Sequence, residues 1–351
     1  MIVAHNPVDG DADPSTSDVL AQVDLVCAAL GELGVPAQPA ALSGGRVWEE
    51  LPVVAAEAGS LIFNLVEAPP GLPSVHPDTA AVFELLGLPF TGSSAATLWL
   101  TTDKLATRAL LAAQGLPVAP GGRLDPERPA LLERVPGPWI LKPSCEDASL
   151  GLEGDPLCTS REAALARAAE LARRFPGQAL LAERYLPGRE FNVSILAGEG
   201  GGNAGAGALP VAEIVFVDFP AEMARIVGYE AKWRPDSFAY THTVRRFPND
   251  RASQPLLRQL RLLALAAWDA CGLSGYGRVD LRLDERGRPH ILEVNANPCL
   301  AADAGFIAAA ERAGLRPRDV VGRIVASALA EHGRAALPHP TAAVANATAA
   351  G

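Results

Sequence analysis

The 351-residue sequence predicts an α/β protein of two or three domains. Three observations carry that reading. Strand and helix signals alternate through the first hundred residues, starting with MIVAHN and SDVLAQVDLVCAALGELG. A later charged strand, GYGRVDLRLD, runs through turn residues into HILEVNANP, the pattern of an antiparallel hairpin. Hydrophobic residues make up 49% of the chain, enough apolar mass for more than one core.

The elements follow in order. MIVAHN reads as a strand, and residues 17–34 have helical apolar spacing closed by a glycine. SLIFNLVEA is a second strand and HPDTAAVFELLGLPF a second helix, which together make a small parallel α/β unit over 1–97. SAATLWLTTDKLATRALLAAQG reads as one linking helix that opens a second unit, 98–182. PWILKPSCEDASLGL is a strand entering a polar loop, and SREAALARAAELARRF an amphipathic helix. ALLAERYLPGREFNVSILAG reads as two strands around a Pro-Gly turn, near the start of a third unit, 183–336. The glycine-rich stretch 198–207 lies between strand signals and opens no helix, so it reads as a hairpin loop and not as a phosphate cradle. Residues 234–247, polar and irregular, are a candidate lid, and 337–351 read as a disordered tail.

The formal net charge of -10 argues against nucleic acid or an anionic membrane as the main partner. No apolar run reaches spanning length. The opening MIVAHNP lacks a basic and an apolar targeting region. Five cysteines, an odd number without metal-site spacing, fit a reducing compartment, so a cytoplasmic protein is expected.

The hairpin holds the densest chemistry. With a four-residue loop at 285–288, Asp284 faces Pro289, Asp280 lies opposite Glu293, and Arg278 lies opposite Asn295. Facing carboxylates repel unless something neutralises them. Converging hard oxygen ligands suit Mg²⁺, and an adjacent arginine suits a substrate that develops negative charge. A solvated strand face with an ordinary Arg–Asp pair satisfies the hairpin alone equally well.

The wider pattern decides between these readings. GRVDLRLDERGRPHILEVNANP resembles the metal-binding core of the ATP-grasp superfamily, and most closely that of the D-alanine–D-alanine ligases. FNLVE and LGLPFTGSSAATLWLTTDKLATR are similar to that family's first-domain end and linker, and PWILKPSCEDASLGL to its lysine strand and phosphate-covering loop. LLAERYLPGREFNVSIL resembles its adenine hinge, and GYEAKW a stretch carrying another phosphate lysine. The resemblance implies three α/β subdomains with ATP between the second and third. It implies that Lys104 and Lys142 contact ATP phosphates, that Glu183, Tyr185 and Leu186 sit at the adenine, and that Glu190 holds the ribose. Lys232 would reach the terminal phosphate, Asp280, Glu293 and Asn295 would hold two Mg²⁺ ions, with Mn²⁺ as a substitute, and Arg278 would face the reacting carbonyl.

The substrate half departs from the family pattern. The amino-terminal glutamate is missing, with Asp18 the nearest stand-in; the loop serine aligns with Ala148, followed by Ser149, a catalytic candidate. Trp233 occupies the tyrosine position, and Ala304 lies near the serine that grips the second substrate. Cys145 and Cys299 flank the site without a histidine partner and read as packing residues. The implied activity is an ADP-forming ligase joining a small carboxylate to a small amine, acting as a homodimer. Its alternatives are a true D-alanine–D-alanine ligase and a non-catalytic nucleotide-binding protein. A Rossmann dehydrogenase would need a glycine fingerprint that VAHNPVDGDADP does not supply.

Overall fold

The computed structural model describes residues 1–8, 14–42, 61–68, 71–198 and 205–335. The 337–351 tail and most of the glycine-rich stretch lie outside them. Strand β1 (Ile2–His5) is the centre of a three-stranded parallel sheet, between β2 (Gln38–Ala41) and β3 (Ile62–Asn64). Helix α1 (Pro14–Glu32) covers it, placing Val19, Val23, Val26 and Leu30 in one cluster with Val3 and Phe63. Gly34, at φ +71°, turns the chain out of the helix. Strand β2 was not legible in the sequence: QPAA has no apolar alternation and forms an exposed edge. Helix α2 (Val75–Leu85) follows β3.

The expected single linking helix is two, α3 (Ala95–Thr102) and α4 (Lys104–Ala113). Asp103 breaks it. Its extended backbone ends α3, and its carboxylate accepts hydrogen bonds from the N–H groups of Leu105 and Ala106. Lys104 therefore stands at the first turn of α4.

A second, four-stranded antiparallel sheet has the order β4 (Gly121–Leu124), β7 (Leu180–Arg184), β5 (Trp139–Pro143), β6 (Leu157–Cys158). Helix α5 (Ala130–Arg134) joins β4 to β5, and α6 (Arg161–Arg174), capped by Ser160, covers the sheet with Ala164, Ala168 and Leu171.

The third sheet runs β11 (Thr243–Arg246), β10 (Ala212–Phe216), β8 (Glu190–Leu196), β12 (Tyr276–Leu283), β13 (Pro289–Asn295), with β9 (Gly207–Ala208) on β8. Strands β7 and β8, adjacent in sequence, belong to different sheets; the chain crosses at Tyr185–Arg189, whereas the sequence put the boundary at 183, inside β7. The expected irregular lid is instead α8 (Phe238–His242) followed by β11, an edge strand anchored by Arg246 on Glu213. A short helix, α7 (Tyr229–Trp233), precedes it.

Helix α9 (Gln254–Cys271) lies on one face of this sheet, with Leu257, Leu260, Ala264 and Trp268 against Val193, Ile195, Val279 and Leu281. A Cβ at Gly277 would lie 2.4 Å from Leu273 Cδ2, so a larger residue there would force that buried side chain to move. With the apolar face so covered, the alternate residues of β8, β12 and β13 face the cleft. Helices α10 (Gly305–Arg312) and α11 (Pro317–Ala335) close the fold against α1. No helix among the described residues is long and apolar enough to cross a membrane.

Candidate active site

The hairpin brings Arg278 opposite Asn295 and Asp280 opposite Glu293, the pairs read from sequence, by a different route. Leu283, not Asp284, faces Pro289, so the loop is 284–288. Asp284 holds it by accepting the N–H groups of Arg286 and Arg288 at 2.9 and 2.8 Å. Leu292 is then an extra residue between the Leu281–Ile291 and Asp280–Glu293 pairs. This bulge restores the register at the charged end.

Strand β8 completes the charged face. Asn192 stands opposite Asp280, and Glu190 opposite Arg282. Asp280 receives Arg278 through two hydrogen bonds, 2.7 and 2.9 Å, and the Asn192 amide at 2.7 Å. Arg282 forms a buried ion pair with Glu190 at 2.8 Å and donates to the Tyr185 hydroxyl and the Arg225 carbonyl. Burial raises the Glu190 carboxyl above its usual range, and Arg282 offsets part of that. Asn192 and Arg282 were not singled out from sequence. The signal was there, in the alternation of Glu190, Asn192 and Ser194 along REFNVS.

Three lysines enter from other elements. Lys104 Nζ donates to the Glu146 carbonyl at 2.6 Å and lies 3.1 Å from Asp147 and 3.3 Å from Glu293. Lys142, on β5, pairs with Glu183 at 2.8 Å, and Glu183 also receives Arg108 at 3.0 Å. The sequence reading linked both residues to ATP; here they neutralise each other across adjacent strands. Lys232, on α7, makes no ion pair among the described residues; desolvation in the cleft lowers its ammonium pKa, and Arg278 lowers it further. Burial works against ionising Glu293, but Lys104, Lys142, Lys232 and Arg278 outweigh it and hold its pKa at about 2.

The polar loop after β5 is folded onto α7. Ser149 Oγ donates to the Val227 carbonyl at 2.9 Å, the Trp233 indole N–H to the Ala148 carbonyl at 3.1 Å, and the Gly154 N–H to Glu230 at 3.2 Å. Ala148 and Ser149 sit at φ +55° and +63°, each costing about 1–2 kcal/mol, so those contacts hold a strained backbone. A Cβ at Gly228 would lie 2.7 Å from the Leu152 carbonyl, which accounts for glycine there.

These pieces enclose one cleft of about 680 Å³. Lys104, Lys142, Ser149, Glu183, Tyr185, Leu186, Glu190, Lys232, Arg278, Asp280 and Glu293 all line it, as do Asp18, Ala148, Trp233 and Ala304. Asn295 does not; its Oδ1 accepts the Asn297 N–H at 2.9 Å in the turn that ends β13. Among the described residues no group of three or more His, Cys, Asp or Glu side chains forms a metal-binding set. Asp280 and Glu293 are only two carboxylates, but their hard oxygens suit Mg²⁺, which takes few protein ligands.

The family described as D-ala D-ala ligase C-terminus matches residues 123–326, more than half of the chain. The chain belongs to the D-alanine–D-alanine ligase family. A D-alanine–D-alanine ligase of Nitrosococcus oceani is 35% identical over 254 residues, 71% of each chain. An uncharacterized protein, y4sG, of Sinorhizobium fredii is 31% identical over 261 residues, 74% of this chain and 71% of that one. The crystal structure of a D-alanine–D-alanine ligase from Bacillus anthracis complexed with ATP superposes with a TM-score of 0.72 over 95% of this chain and 99% of that one, at 16% identity. The fold is that of the ATP-grasp ligases, and the chain is a ligase of the D-alanine–D-alanine ligase-like kind.

Asp18, Cys299 and Ala304 also line the cleft. Asp18 accepts the Cys299 thiol at 2.9 Å, and burial pushes that thiol well above the usual range, which disfavours the thiolate. Behind Asp18, burial raises the Glu67 carboxyl to about 7, partly offset by the Gln22 amide at 2.9 Å. Cys145 is likewise a thiol whose pKa burial raises.

Proposed function

We propose that the cleft binds MgATP and joins a small carboxylate to a small amine, releasing ADP and phosphate. The observation that carries this reading is convergence. Lys104, Lys142, Lys232 and Arg278 come from four separate elements to one cleft that also presents Asp280 and Glu293. In the reaction, a substrate carboxylate oxygen attacks the terminal phosphorus, the bond to the bridging oxygen breaks, and ADP leaves. The amine then attacks the acyl carbon and phosphate departs with the acyl C–O electrons, taking one ammonium proton while another goes to solvent.

Lys142 and Lys104 would neutralise the phosphates and Lys232 the transferring group. Tyr185, Leu186 and Glu190 would form the nucleoside end. Asp280 and Glu293, with Asn295 beside them, would hold Mg²⁺, which supplies charge neutralisation at the phosphates when bound. Arg278, fixed bidentately by Asp280, is preorganised to stabilise an oxyanion. The 145–154 loop excludes water. Cytoplasmic action on small molecules follows from this reading.

The substrates differ from a pair of D-alanines. The hydroxyl of Ser149 is committed to Val227 and the Trp233 N–H to Ala148, while Ala304 offers no hydroxyl. Each missing polar contact to a charged substrate group costs about 1–3 kcal/mol. Trp233, Tyr240 and Val244 present an apolar wall that suits a larger side chain. The test is a phosphate-release screen of amino acids and dipeptides with MgATP. We expect turnover with a pair other than D-alanine and weak activity with D-alanine alone; efficient D-alanyl-D-alanine formation at sub-millimolar D-alanine would refute the substrate argument.

A further inference from the structure

Charge accounting in the cleft leaves one cation without a role. Lys104 is paired with Glu293 and Asp147, Lys142 with Glu183, Arg184 with Glu285, Arg278 with Asp280, and Arg282 with Glu190. Among the described residues only two cleft cations, Lys232 and Arg245, have no carboxylate at ion-pair distance. Lys232 is already accounted for as a phosphate contact. Arg245 is not.

Arg245 comes from edge strand β11 and lies across the start of α10. Its Nη1 and Nη2 both donate to the Asp303 carbonyl at 3.2 Å. That anchors the guanidinium at the cleft that Arg245 lines, with fewer than its five donors used. The residue that caps α10 is Ala304, whose side chain accepts nothing, and Gly305 stands beside the guanidinium, where a Cβ would be in ordinary contact with Nε at 3.7 Å. Burial works against the Arg245 charge, the Asp303 carboxylate partly offsets that, and Arg278, which lines the same cleft, adds to it. Arg278 is already held by Asp280, so Arg245, half-open to solvent at the rim, is the guanidinium on this side of the cleft still able to take an anion. A carboxylate suits a guanidinium fork better than a point cation does.

We propose that Arg245 anchors the carboxylate of the amine-donating substrate. The second substrate then enters as a free α-amino acid or as a peptide with its own carboxylate, gripped by a guanidinium where Ala304 leaves no hydroxyl. This rests on the ligase reading above and narrows it. Arg245 acts on specificity by positioning the amine, and takes no part in phosphoryl transfer.

The experiment compares wild type, R245Q and R245K. D-Alanine and D-phenylalanine, each as free acid and as primary amide, are titrated by calorimetry into the complex with Mg²⁺ and a non-hydrolysable ATP analogue. For at least one acid, wild type should bind it tenfold or more tighter than its amide. R245Q should weaken the acid by roughly ten- to a hundredfold, leave the amide within threefold, and keep the nucleotide affinity. R245K should recover part of the acid preference, which a purely structural role for Arg245 would not produce. Equal losses for acid and amide in R245Q, or no acid preference in wild type, overturn the assignment. Wild-type phosphate release, measured separately, judges the ligase reading, so the two claims fail independently.

Discussion

Substituting Glu183 with glutamine tests how the cleft manages its charges. Glu183 is 6% exposed and sits between Lys142 at 2.8 Å and Arg108 at 3.0 Å, each about 14% exposed. The substitution leaves two largely buried cations facing one neutral amide, whose NH₂ end must point at one of them. Removing one member of a buried ion pair costs about 3–5 kcal/mol. Arg108 retains the carbonyls of Ala119 and Gly121 at 2.6 and 3.1 Å, so the low end, about 3 kcal/mol, applies. At roughly 1–2 °C per kcal/mol for a chain of 351 residues, the calorimetric midpoint of the apo protein should fall by about 3–6 °C. Saturating MgATP should then raise the midpoint more in the variant than in wild type, because a triphosphate gives Lys142 a replacement anion. A midpoint within a degree or two of wild type, or equal nucleotide shifts, would refute the reasoning.

Three further outcomes are expected. Lys142→Ala should weaken ATP binding about tenfold to a hundredfold by calorimetry, the worth of a charge-assisted bond in a partly dry site; unchanged affinity would leave Lys142 as a partner of Glu183 only. On the acid side, Glu293 contributes about 3 kcal/mol because its carboxyl falls from 4.5 to about 2 on folding. That stability is complete above pH 4.5 and lost as pH falls toward 2, and Glu293→Gln should flatten this limb of the stability profile while abolishing magnesium-dependent turnover. Glu67 runs the other way: its carboxyl rises from 4.5 to about 7, so wild type loses about 3 kcal/mol between pH 4.5 and 7. Glu67→Gln should therefore raise the midpoint at pH 8 and leave it little changed at pH 4.5; an equal effect at both pH values would contradict the assignment.

Much of the site was legible because strand alternation is a strict code. Once GRVDLRLD and HILEVN were read as a hairpin, Asp280 was expected opposite Glu293, and that pairing held despite a miscounted loop only because the Leu292 bulge compensated for it. The helices with strong caps and apolar spacing were also readable. What was not readable depends on chain segments distant in sequence or on backbone detail. Asp103 breaks a helix that periodicity alone continues, because its carboxylate caps the next turn. Arg108 on Glu183, Asn192 on Asp280 and Arg245 at the head of α10 are tertiary pairings of residues 75, 88 and 58 positions apart. Ala148 and Trp233 were read as lost substrate contacts; their mutual hydrogen bond, which fixes the loop, is visible only in three dimensions.

The central claim is that this cleft activates a carboxylate by phosphoryl transfer. The most direct test is to incubate the protein with MgATP, a carboxylate substrate found in the screen, and hydroxylamine in place of the amine. The account predicts ADP, phosphate and acyl hydroxamate in equal amounts, none of them formed without Mg²⁺ or by Glu293→Gln. Formation of AMP and pyrophosphate, or ADP without hydroxamate, would contradict it.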